Sequence, residues 1–162
     1  MRLLLVAFVL LTTMLAYSGA ALVNATAPLG IVSLQLAGTG ATAARILDSW
    51  GSAGQAAALL NLVIDFPFLV VYGTLLGLWC RRAARALPLH AATGRSCVHA
   101  AWAAAAFDAV ENIALLAQLN GSANDPAATL AFTCAGIKFA LLAIVIAYLV
   151  VAMLVAAVRK LR

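Results

Sequence analysis

The sequence predicts an all-α membrane protein: an antiparallel four-helix transmembrane bundle with a short interfacial helix in the first external loop. Three observations predict it. The 162 residues are 66% hydrophobic and only 9% charged, a membrane composition rather than that of a soluble core. The apolar residues gather into stretches at about 3–22, 56–79, 97–119 and 127–158, each close to or above the ~20 residues a helix needs to cross ~30 Å of hydrocarbon. These runs are uninterrupted, whereas the strands of a membrane β-barrel alternate with period two.

The first stretch follows Arg2 and ends near Ser18-Gly19-Ala20. A positive start, an apolar run and small residues also describe a cleaved signal peptide. An uncleaved helix is the preferred reading, because Thr13, Tyr17 and Asn24 fall on one helical face. The segment 23–55 is long for a bundle connection and is expected to be ordered or functional. Within it, Pro28 and Gly30 break the first helix. Thr39 or Thr42 caps a short helix at about 40–50, which Gly51 ends. Ile46, Leu47 and Trp50 give that helix an apolar face. It should lie over the outer mouth of the bundle, with Trp50 at headgroup level. The second external loop, 120–126, carries Asn-Gly and Asn-Asp-Pro turns and makes the third and fourth spans antiparallel neighbours. Asn24-Ala-Thr26 and Asn120-Gly-Ser122 match the glycosylation pattern, which is frequent by chance and carries no weight.

The net charge is +5, and its placement sets the orientation. Arg2 precedes the first span, Arg81, Arg82, Arg85 and Arg95 lie between the second and third, and Arg159, Lys160 and Arg162 close the chain. The remaining loops hold only Arg45. By the positive-inside rule both termini and the middle loop are cytoplasmic. The basic loops are accounted for by anionic lipid headgroups, so no nucleic-acid partner is implied. Cys80, His90, Cys97 and His99 have a C-x9-H-x6-C-x-H spacing that matches no standard zinc pattern, and no metal is assigned. There is no Gly-rich phosphate loop, no usable Ser-His-Asp order and no pair of histidines inside the spans, so no cofactor is expected.

Asp65, Asp108, Glu111 and Lys138 stand near the middle of apolar segments. A charge at a bilayer centre costs roughly 2.5–3.5 kcal/mol on insertion scales, so such residues pair and face the bundle interior. At about 100° per residue, Asn61, Asp65, Phe68 and Tyr72 fall within roughly 60° of one another. Asp108, Glu111 and Asn112 share a face of the third span, with Gln118 extending it outward, and Cys134 and Lys138 share a face of the fourth. At about 1.5 Å per residue, Asp65, Glu111 and Lys138 lie ~15, ~12 and ~16 Å below the outer surface, with Asp108 slightly deeper. All four can meet in one layer, whose outer part Tyr17 would reach. Three acids and one base do not balance. One acid keeps its proton, a cation or basic ligand binds, or Arg45 folds in from above. Gly73-Thr-Leu-Leu-Gly77 and the Ala-rich run 100–106 fit small-xxx-small packing. The glycines also offer a face for a homo-oligomer.

The string Leu34-Gln-Leu-Ala-Gly-Thr39, then Ile46-Leu-Asp-Ser-Trp50, Asp65-Phe-x-Phe68 with Tyr72, Asp108-x-x-Glu111-Asn112 and Lys138-Phe139 resembles a family of small bacterial integral membrane proteins of uncharacterised function. The resemblance covers about 34–148. It implies a four-span protein and no catalytic activity, and it places Arg45 and Trp50 among the motif positions. The expected location is the bacterial inner membrane.

The leading functional expectation is a polar, acid-rich intramembrane pocket for a small amphiphilic or lipid-like ligand. Asp65, Asp108, Glu111 and Lys138 would contact it, Asn61, Tyr72 and Asn112 would orient them, and Arg45 and Trp50 would form a lid. Two other readings stay open: a proton- or cation-coupled transporter or channel subunit, and an accessory subunit whose buried ion pair only sets helix register.

Overall fold

The computed structural model describes residues 1–86, 91–121 and 123–160; His90, Ser122 and Arg162 lie outside them. Five helices make up the described chain: α1 (Arg2–Ala20), α2 (Ile31–Gln35), α3 (Gly40–Ala86), α4 (Ala91–Leu119) and α5 (Asp125–Lys160). Four of them, α1, α3, α4 and α5, are long and apolar enough to cross a membrane. Ala and Leu dominate these segments and are the strongest helix formers. Helix and apolar stretch do not end together, however. The Arg81, Arg82 and Arg85 positions continue α3, and Arg95 belongs to α4. Arginine is a good helix former, so a charge interrupts the hydropathy without interrupting the backbone ladder.

α3 is two helices joined at a corner. Gly51 has φ 60° and ψ −173°, a conformation that essentially only glycine adopts. It divides 40–50 from 52–86. The first piece begins where the Thr42 amide donates to Thr39 Oγ1 at 3.3 Å, so Thr39 supplies the cap. Ile46, Leu47 and Trp50 are buried on one side of it with Leu22, Leu34, Leu62 and Leu115. Trp50 Nε1 donates to the Leu22 carbonyl at 2.8 Å. The Trp50 ring is therefore inside the core. Its apolar area and its single donor are both satisfied there.

The connection 21–39 is held closely to this cap. Asn24 Oδ1 accepts from the Thr26 and Ala27 amides at 2.9 and 2.8 Å. Asn24 Nδ2 reaches Ser49 Oγ at 3.1 Å. These bonds close a turn and pin it to the segment 40–50. α2, which periodicity did not reveal, is too short to show a period. It buries Leu34 and Gln35. The start of α3 also touches the start of α5: the Gly40 amide donates to Asp125 Oδ1 at 2.8 Å. A β-carbon on Gly40 would stand 2.7 Å from the Asn124 carbonyl carbon, so no side chain fits.

α4 packs against both α3 and α5. A β-carbon built on Gly73 would lie 3.3 Å from Ala105 Cβ, and one on Gly77 3.5 Å from Trp102 Nε1. The small residues thus let α3 and α4 approach closely. Gly73 and Gly77 are buried within their own chain, against α4. Cys80, Cys97, Val98, Ala101 and Val145 form a second buried cluster.

α1 stands apart. Its main packing is against α3. Asn61 Nδ2 of α3 donates to the Leu15 carbonyl at 2.9 Å and to Ser18 Oγ at 2.8 Å. Tyr17 is 86% exposed and points away from the interior, so it does not reach the charged layer. The face read from Thr13 and Tyr17 turns outward: both are exposed, and Thr13 Oγ1 donates to the Val9 carbonyl of its own helix. A gap remains between α1 and α5.

Gly51→Ala should cost about 1–3 kcal/mol because the new β-carbon meets a forbidden backbone region. The apparent unfolding midpoint of the purified chain should fall for Gly51→Ala and not for Ser52→Ala. Equal midpoints would mean that the corner does not need its glycine.

Candidate functional site

The site begins with one face of α3. Asn61, Asp65, Phe68 and Tyr72 all line a cavity of about 660 Å³. Their shared direction follows from helical spacing alone. The other walls come from separate elements. α1 supplies Phe8, Leu15, Ala16 and Gly19, α4 supplies Asp108 and Asn112, and α5 supplies Lys138, Phe139, Leu142 and Ile146. Val32 and Gln35 close one end.

The polar wall is a connected network. Lys138 Nζ lies 2.8 Å from Asp108 Oδ1 and 2.8 Å from Glu111 Oε2. The Tyr72 hydroxyl donates to Asp108 Oδ2 at 2.8 Å, so both Asp108 oxygens are engaged. Asn112 Nδ2 donates to Asp65 Oδ2 at 2.7 Å. Lys138 Nζ also stands 4.8 Å from the centre of the Phe139 ring. Asp108, Glu111, Asn112 and Lys138 are buried, and Asp65 is half-buried. Interactions among such groups are strong because little water screens them.

The network separates the three acids. Asp108 and Glu111 share one ammonium. Glu111 is fully enclosed and lies behind Lys138, off the cavity wall. Asp65 faces the cavity, where the Asn112 amide donates to it and the Asp108 carboxyl is a close neighbour. The formal sum of three carboxylates and one ammonium is −2. Asn112 Oδ1, Gln35 Oε1 and Glu111 Oε1 are among the buried polar atoms without a hydrogen-bond partner in the described residues. The first two belong to residues on the cavity wall. A buried acceptor without a donor is costly, and its presence calls for a partner.

Besides Glu111, two expected contributors lie off the cavity wall. Arg45 is exposed, with Nη2 donating to Thr42 Oγ1 at 3.3 Å. It does not fold into the charged layer, since its guanidinium stays hydrated at the surface at no desolvation cost. Trp50 is part of the packed core described above and does not line the cavity. Two other contributors were not expected. Gln35 lines the cavity from α2, and Ser18 fixes Asn61 from α1. Gln35 stands in a motif-like string and is a lone amide among apolar residues, a signal that was readable. Ser18 carried none, since a small residue near a helix end has many roles. Gln118 lies off the cavity, and both polar atoms of its amide are unpartnered among the described residues. No family model, curated protein or solved structure matches this chain.

Lys138→Met removes the one base from two buried acids and should cost about 3–5 kcal/mol, the usual penalty for orphaning a buried charge. The triple variant Lys138→Met, Asp108→Asn, Glu111→Gln should recover most of that loss. Unfolding midpoints of the reconstituted variants measure both effects. A Lys138→Met midpoint equal to wild type would show that the ion pairs do not hold α4 and α5 together.

Proposed function

We propose that this chain is an integral membrane protein of the bacterial inner membrane that binds a small amphiphilic or lipid-like molecule in its lateral cavity. In this reading the four long helices cross the bilayer as an antiparallel bundle. Residue pairs along α3 and α4 support that arrangement: Asp65 meets Asn112, Tyr72 meets Asp108, and Gly77 meets Trp102. The basic residues near the chain termini and the α3–α4 connection support a cytoplasmic side at that end under the positive-inside rule.

The observation that carries the function is the shape and chemistry of the cavity. It is apolar over most of its wall, yet it holds one patch of hydrogen-bonding and charged groups. Its mouth lies between α1 and α5, which make no extended contact with each other. Phe139 and Ile146 at that mouth are 41% and 52% exposed. An opening on the lipid-facing side admits a molecule from the bilayer without passage through water. The volume is within the roughly 300–1,000 Å³ typical of small-molecule sites. Apolar chain and polar head each find a matching wall.

A neutral, fluorescently labelled monoacylglycerol should bind the protein in nanodiscs saturably, at about one per chain. Leu142→Trp, which fills the cavity, should weaken that binding at least about tenfold, equivalent to about 1.4 kcal/mol. Ile144→Trp, on the outer face of the same helix, should leave it unchanged. Non-saturable uptake, or equal loss in both variants, would refute the site.

A further inference from the structure

We propose that the cavity is selective for an amphiphile with a protonated amine head, which docks on Asp65 while its chain leaves between α1 and α5. The inference rests on the amphiphile reading above and specifies the head group.

The donors on the cavity wall are largely committed inside the protein. Lys138 Nζ is held between Asp108 and Glu111. The Tyr72 hydroxyl is spent on Asp108, the Asn112 amide on Asp65, and the Asn61 amide on Leu15 and Ser18. The buried, unpartnered polar atoms left on that wall are acceptors. Asn112 is fully buried, and its Oδ1 is unpartnered among the described residues. Gln35 is 7% exposed, and its Oε1 is likewise unpartnered. Asp65 carries a carboxyl on the same wall, with no basic side chain paired to it among the described residues.

These groups select by charge and by hydrogen bonding together. A cationic head offsets the excess of acid over base, and its N–H groups satisfy acceptors that are otherwise buried and empty. A carboxylate or phosphate head would meet Asp65 and Asp108 with like charge and few free donors. A neutral alcohol would supply one donor and no charge. The apolar walls from Phe8 to Ile146 need a hydrocarbon chain to fill them, which a free inorganic cation lacks. An ammonium on a chain meets both demands.

The test uses competition against the neutral labelled monoacylglycerol, with the full chain in zwitterionic nanodiscs. Dodecylamine, dodecanol and dodecanoate share one chain length and are compared at equal mole fraction in the bilayer. Dodecylamine should displace the probe at least about tenfold more effectively than dodecanol, with dodecanoate weakest. Asp65→Asn should remove the preference for amine and leave the dodecanol competition unchanged, which reports an intact cavity. The wild-type ranking alone decides the matter should Asp65→Asn fail to fold. Equal competition by all three would overturn the head-group assignment and leave the amphiphile reading standing. Failure of the labelled probe to bind saturably would overturn both.

Discussion

Lys138 is the one base in a layer with three acids, and the rest of the interior is arranged around how its charge is shared. Its ammonium meets Asp108 and Glu111 at the same 2.8 Å. Both acids sit on α4, while Lys138 comes from α5. The pair of contacts therefore fixes the rotation of each helix relative to the other. Tyr72 extends the constraint to α3 by donating to the second Asp108 oxygen. In an apolar interior a rotated helix would bury an unpaired charge, and the penalty for that exceeds the gain from any single packing contact. One cation thereby specifies three helices.

The same sharing explains why Asp65 is different from the other acids. Asp108 lines the cavity too, but both of its oxygens are engaged by Lys138 and Tyr72, and Glu111 is sealed behind Lys138. Asp65 is left on the cavity with an amide partner. Scaffolding accounts for the shared ammonium, but it does not account for a carboxyl on an open cavity that Asn112 and Gln35 also line with unpartnered amide oxygens. The loose seating of α1 completes the arrangement. Because α1 rests mainly on α3, through Asn61, Leu15 and Ser18, the interior stays accessible from the side. A closed bundle with α1 packed on α5 would have hidden the polar wall.

Much of this was legible before the fold was known, and for specific reasons. Helical periodicity put Asn61, Asp65, Phe68 and Tyr72 on one face, and all four line the cavity. Rise per residue put Asp108, Glu111 and Lys138 at one depth, and they meet. The cost of burying charge made a meeting necessary. What remained illegible depends on rotation and on chain segments without a period. α1 carries the weakly polar face of Thr13 and Tyr17, and such a face does not say whether it turns inward or outward. α2 spans five residues, too few to show a period, although Gln35 stood out as a lone amide among apolar residues. Arg45 fitted the missing positive charge by arithmetic, but a surface guanidinium with water available has no reason to enter an apolar core. Gly73 and Gly77 announced close packing without naming the partner, which is α4 of the same chain.

The central claim is that the lateral cavity holds a molecule from the bilayer. Native mass spectrometry of the full chain released from nanodiscs addresses it directly. The account predicts a population carrying one lipid-like mass per chain, lost when Leu142→Trp fills the cavity and kept in Ile144→Trp. A chain that emerges bare, or that carries the same masses in all three forms, would contradict it.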